Sequence, residues 1–258
     1  MMKELQPMGY AVLQKELIAP DLEALKRGCR VLPTLRDIDA QNMFQDAYGI
    51  LIKGLDALDA NALQEGLQAE GVATQVVEES ELPIIPPAKV IRQIEFLPPH
   101  LNMYDPMGRV FALPWQDIMM LAAGNVKVPE FKRGKPAHEE QQFHGMSHDT
   151  LTDTRIREEH RPQLMLEIFL VGGISRYSVT GETFEFGYLG ERLTADLQTN
   201  FALLLKDLAE FAPHAGMNRG AYMATQEQGE VLKYPSKHAF YEELVWMLWR
   251  ISESKSVA

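Results

Sequence analysis

Residues 78 to 88 read Glu-Glu-Ser-Glu-Leu-Pro-Ile-Ile-Pro-Pro-Ala, and neither a helical nor a strand period runs through them. Pro83, Pro86 and Pro87 remove three backbone donors and push the residues before them out of the helical region. The stretch is therefore read as an extended, stiff connector. It divides the chain into a small unit over residues 1 to 79, a linker over 80 to 88 and a larger, mainly β unit over 89 to 258.

Ahead of the connector, residues 8 to 13 predict a strand, and Pro20-Asp21 opens a short helix with proline in its first turn. Leu22, Leu25 and Cys29 form that helix's apolar stripe, and Gly28 and Pro33 end it. Thr34 is positioned to cap a second helix carrying Leu35, Ile38, Met43 and Ala47, which Tyr48-Gly49 stops. A buried strand over residues 50 to 53 follows, and Asp56 or Asp59 caps a third helix with Leu58, Ala62, Leu63, Leu67 and Ala69 as its apolar residues. Gly71 closes it and residues 72 to 77 supply the last strand. The order βααβαβ implies a small α+β plait, a sheet with helices on one face.

The run Ile50-Leu51-Ile52-Lys53-Gly54-Leu55, followed by Ala62, Leu67, Ala69, Gly71 and Val76, resembles the C-terminal domain of the bacterial ribosomal stalk protein. The likeness covers about one sixth of the chain, in core and turn positions, and so implies a fold and no activity. The stalk domain's lysine-rich, factor-docking helix is replaced by Leu35-Arg36-Asp37-Ile38-Asp39-Ala40. Factor binding is not implied.

Beyond residue 88 the pattern predicts seven short strands, at residues 90 to 97, 101 to 104, 109 to 113, 118 to 128, 164 to 171, 174 to 179 and 183 to 188. Asp105-Pro106-Met107-Gly108 supplies a tight turn between the second and third. An amphipathic helix opened by Thr194 follows, with Leu197, Phe201, Leu204, Leu205 and Leu208 on one face. Seven antiparallel strands and such a helix look like a pleckstrin-homology-like barrel. Tyr104-Asp105-Pro106-Met107-Gly108-Arg109 with Leu113-Pro114-Trp115 is similar to the opening hairpin of that fold's membrane-associated members. Those members bind phosphoinositides through basic loop residues, a role that here falls to Arg109 alone. A last helix over residues 236 to 251 is apolar over more than half its girth, with Phe240, Leu244, Trp246, Leu248 and Trp249, and belongs either in the chain's own core or in a homodimer interface.

Periodicity vanishes between residues 129 and 161, where His138, His144, His148 and His160 stand among acidic residues. So few large apolar groups cannot offset the entropy of ordering, which predicts a mobile insertion. The alternative is a metal site: His144 and His148, four apart, share a face of any helical turn, and Asp149 or Asp153 can complete a shell for zinc or nickel. No His-Glu-x-x-His order accompanies them.

A formal charge of −11 argues against nucleic acid and anionic membranes as partners. The local exceptions are Arg109, Lys127, Lys132, Arg133 and Lys135. Cys29 is the only cysteine, so no internal disulfide forms, and on its apolar stripe it reads as a core thiol. With no signal-like h-region and no run of about 18 apolar residues, a cytoplasmic protein without a membrane span is expected. The chain has neither a dinucleotide nor a phosphate glycine loop, and Ser147, His148 and Asp149 are consecutive, where side chains diverge and cannot form a triad. His214 and Arg219, beside Asn218 in a glycine-rich bend, form a polar cluster.

These readings lead to one expected function and one alternative. The first is a non-enzymatic cytoplasmic protein acting through two protein-binding or ligand-binding modules, with a protein partner and no cofactor. Its candidate binding residues are Arg109, Lys132, Arg133, His214 and Arg219. The alternative is a metal-dependent hydrolase built on His144, His148 and Asp149.

Overall fold

A computed structural model of the chain describes residues 9 to 133 and 156 to 256. Strands β1 (Tyr10–Gln14), β2 (Ile50–Leu55) and β3 (Thr74–Glu78) form an antiparallel sheet in the order β2-β1-β3. Helices α1 (Leu22–Cys29), α2 (Asp37–Asp46) and α3 (Ala57–Ala69) interleave with them in the expected order. Asp21 and Asp56 cap α1 and α3, each accepting a backbone N–H at 2.8 Å. Thr34 does not cap α2; Asp39 in its first turn accepts the Arg36 N–H at 2.7 Å instead.

The central strand β1 shows why both faces of this sheet are apolar. Successive strand side chains point to opposite sides, and Val12 joins the core under α1, α2 and α3 while Ala11 and Leu13 join a second core on the back. That second core is closed by Trp246 and Trp249, more than 200 positions away in sequence.

After a 3₁₀ turn at Glu79–Glu81 the proline run is extended. It leads into β4 (Ala88–Val90), then a meander of β5 (Gln93–Leu97), β6 (His100–Tyr104) and β7 (Val110–Pro114). A long hairpin follows, β8 (Ile118–Arg133) and β9 (Ile156–Leu170), and then β10 (Arg176–Thr180). The remaining elements are α4 (Leu197–Phe211), β11 (Gly216–Met217), α5 (Arg219–Thr225), β12 (Lys233–Tyr234) and α6 (Lys237–Ser256). A six-stranded sheet runs β11-β8-β9-β10-β4, with β12 also pairing β8.

The α+β class holds, but the seven-stranded barrel does not: the strands form sheets of three, six and three. Two local facts account for this. The stretch over residues 90 to 97 breaks at Ile91-Arg92, sending β4 to β10 and β5 to β6. The stretch over 183 to 188 is no strand; it lies across the 3₁₀ turns Gly181–Thr183 and Phe186–Arg192, which bury Phe184, Phe186 and Leu189. The insertion is also shorter than expected, because ladder pairing continues through Pro129 opposite His160 to Arg133 opposite Ile156. Residues 134 to 155 lie outside the described residues.

Alternation on the hairpin sets the remaining layers. Ala123, Leu166 and Ile168 face α4 and the meander, while Met120, Ala122, Met165 and Phe169 face Phe240, Leu244 and Leu248 of α6. Helix α6 thus lies between two sheets, with aliphatic and phenyl side chains against one and two tryptophans against the other. Asp196, not Thr194, caps α4. Among the described residues no helix is long and apolar enough to cross a membrane.

Candidate functional site

Two carboxylates are fully buried around α6: Glu243 on the helix itself and Glu167 on β9. The first is held at the start of α5. Asn218 caps α5, its Oδ1 accepting the Ala221 N–H and the Ala123 N–H at 2.8 Å, while its Nδ2 donates to Ala123 O and to the Tyr234 hydroxyl at 3.0 Å. Arg219 and the Tyr234 hydroxyl converge on Glu243 Oε2, at 2.9 and 2.8 Å. Burial is the largest single influence on the Arg219 charge and works against it, but hydrogen bonding and charge attraction to Glu243, with smaller help from the tyrosines, together outweigh it and raise the pKa. Burial and the Glu243 charge hold the Tyr234 hydroxyl protonated far above its ordinary range.

The second carboxylate accepts the Tyr241 hydroxyl at 3.0 Å and the Ser178 hydroxyl at 3.2 Å, both on Oε1. Its Oε2 faces Arg176 Nη1 at 3.4 Å without hydrogen-bond alignment. Arg176 also donates to Pro86 O at 3.0 Å, tying the proline connector to the sheet. Burial raises the Glu167 pKa despite the arginine, and it pushes Tyr241 up to about 12, with the carboxylate adding to it.

Above the first cluster the seam between the two units opens into a cleft of about 450 Å³, lined chiefly by Pro20, Phe44, Tyr48, Lys127, Lys233 and Tyr234. The end of α2 contributes Phe44, and Tyr48 follows just after it. Tyr48 is set by Arg219, whose guanidinium lies 3.8 Å from the ring centroid, and meets Tyr234 edge-on at 6.5 Å. The lysines come from paired strands: β12 runs parallel to β8 with Lys233 opposite Asn125, two positions before Lys127, so both project from one face. Both are exposed, and among the described residues neither makes a salt bridge.

Arg219 is therefore central to the site, but His214 is exposed in the turn before β11 and outside the hydrogen-bonded cluster. Arg109 is engaged with its own hairpin, donating to Asp105 at 2.6 Å. Lys132 and Arg133 end β8, in register with Arg157 and Ile156. His144, His148 and Asp149 lie outside the described residues, and among the described residues no group of three or more histidine, cysteine or acidic side chains is placed to hold a metal. Cys29 is a buried free thiol against Met43, its pKa pushed up to about 11 by burial and by Asp39 and Asp37.

Sequence reasoning missed Phe44, Tyr48, Lys233, Tyr234 and Glu243, whose proximity depends on α6 seating the N-terminal sheet. The available signals were Asn218 as a helix cap and Glu243 as an acid inside the most apolar helix. Comparison of the chain with protein families, with curated proteins and with solved structures finds no match.

Proposed function

We propose that the protein is a non-enzymatic binding protein and that its two units act jointly, taking an anionic ligand at the seam cleft. The carrying observation is the pair Lys127 and Lys233, without carboxylate partners among the described residues, beside Phe44, Tyr48 and Tyr234 on a chain of formal charge −11. Such a local reversal of sign beside aromatic walls concentrates an anion where the rest of the surface repels it. Glu243 and Glu167, which a catalytic reading would enlist, are sealed in the core and committed to the arginines and tyrosines around α6. That favours binding over proton transfer.

A thermal-shift panel of small anions and their neutral analogues tests the reading. A ligand that binds only the folded protein stabilises it in proportion to the logarithm of its concentration. Anions should raise the melting temperature of the wild type and not of the Lys127→Glu, Lys233→Glu double variant. A panel in which no anion stabilises the wild type beyond its neutral analogue overturns it.

A further inference from the structure

We infer that the seam cleft is a site for an aromatic phosphate, with a nucleoside phosphate as the ligand class; this rests on the anion-binding reading above. Three observations narrow the class. The first is charge: among the described residues the cleft lining has no carboxylate, whereas a neighbouring cleft between α2, β2 and α6 carries Asp39, Asp46 and Glu242, and another on the N-terminal unit carries Glu16, Asp21 and Glu70. Two unmatched ammonium groups suit a phosphate of roughly two negative charges better than a single carboxylate, and lysine serves phosphate as a point charge.

The second is the aromatic wall. Phe44 is 40% exposed although it is a large apolar side chain at the end of a helix, which leaves ring surface free for a planar partner. Tyr48 is not free to rotate away, since Arg219 is stacked on it and is itself fixed by two hydrogen bonds to Glu243 Oε2. The ring that meets the ligand is preorganised by the pairing of half-buried Arg219 with buried Glu243.

The third is the polar edge. Gln45 also lines the cleft and is exposed, and its amide carries both a donor and an acceptor, the complement of a base edge. About 450 Å³ falls within the usual size range of small-molecule sites.

The test is calorimetric titration of the full chain with AMP, adenosine and inorganic phosphate at fixed ionic strength. AMP should bind at least roughly tenfold tighter than either fragment. Reversing both lysines (K127E with K233E) should weaken AMP by more than about tenfold and leave adenosine unchanged. Phe44→Ala should weaken AMP and adenosine but not phosphate. Both lysines are exposed, so their reversal leaves the core intact. Phosphate binding as tightly as AMP, and lost on lysine reversal, overturns the aromatic class while keeping the anion site. AMP binding indifferent to the lysine and Phe44 substitutions overturns the placement, and no heat with any of the three probes overturns the inference.

Discussion

Gly220 shows how tightly the buried cluster is built. A Cβ there would lie 1.9 Å from the Ala123 carbonyl oxygen, and backbone, unlike a flexible side-chain end, cannot yield. Gly220→Ala should therefore cost about 3 kcal/mol or more, read as a lower denaturation midpoint at unchanged slope. Glu167 gives a pH signature. Its folded pKa is raised by burial, so between the ordinary glutamate value of about 4.3 and that raised value the folded chain holds a proton that the unfolded chain has lost. Stability from this group is present below that window and falls as pH rises through it. Denaturant titrations from pH 4 to 8 should show wild type losing stability relative to Glu167→Gln as pH rises, and a difference that stays flat would refute the burial account.

At the scale of elements, α6 is decisive. Trp246 donates its indole N–H to Gln14 O at 2.7 Å and packs on Gly49, where a φ of +88° disfavours a side chain and a Cβ would lie 2.5 Å from the indole Cγ. Trp246→Ala should cost about 3 to 5 kcal/mol. The loss should be independent of protein concentration, because the helix is covered within its own chain. That α6 must be buried was legible from its apolar girth; what covers it was not, since β1 carries no mark naming a partner over 200 residues on. The N-terminal elements were legible because each brings its own punctuation: Asp21, Asp56 and Gly71 close or open helices by local hydrogen bonding and backbone freedom. Phe184 and Phe186 misled because their alternate spacing copies a strand, although Phe184 follows one 3₁₀ turn and Phe186 opens the next. Residues 129 to 133 and 156 to 161 escaped notice for the reverse reason: a two-stranded ladder held by backbone pairing needs no apolar face to announce it. The cleft was illegible because Phe44 and Tyr48 meet Lys127 and Lys233 only after the sheets are stacked.

The whole molecule is a stack: three helices, a three-stranded sheet, α6, the six-stranded sheet, then α4 with the meander. Because the tryptophan core belongs to both halves, and Lys53 bonds Glu242 across the seam at 2.8 Å, the halves should unfold together. Scanning calorimetry should give a single transition with matching calorimetric and van't Hoff enthalpies; two resolved transitions would show that the seam is not cooperative. The stack also has an order in time. The ribosome completes β3 about 160 residues before α6 begins, roughly 8 to 30 s at ordinary elongation speeds. Throughout that interval Ala11, Leu13, Ile50 and Val77 lack Trp246 and Trp249 above them, and the nascent chain carries a bare apolar sheet face. A chain stalled before residue 237 should thus leave apolar surface uncovered on both sheets at once, and a stop codon there should remove the N-terminal unit from the soluble fraction as surely as the C-terminal one.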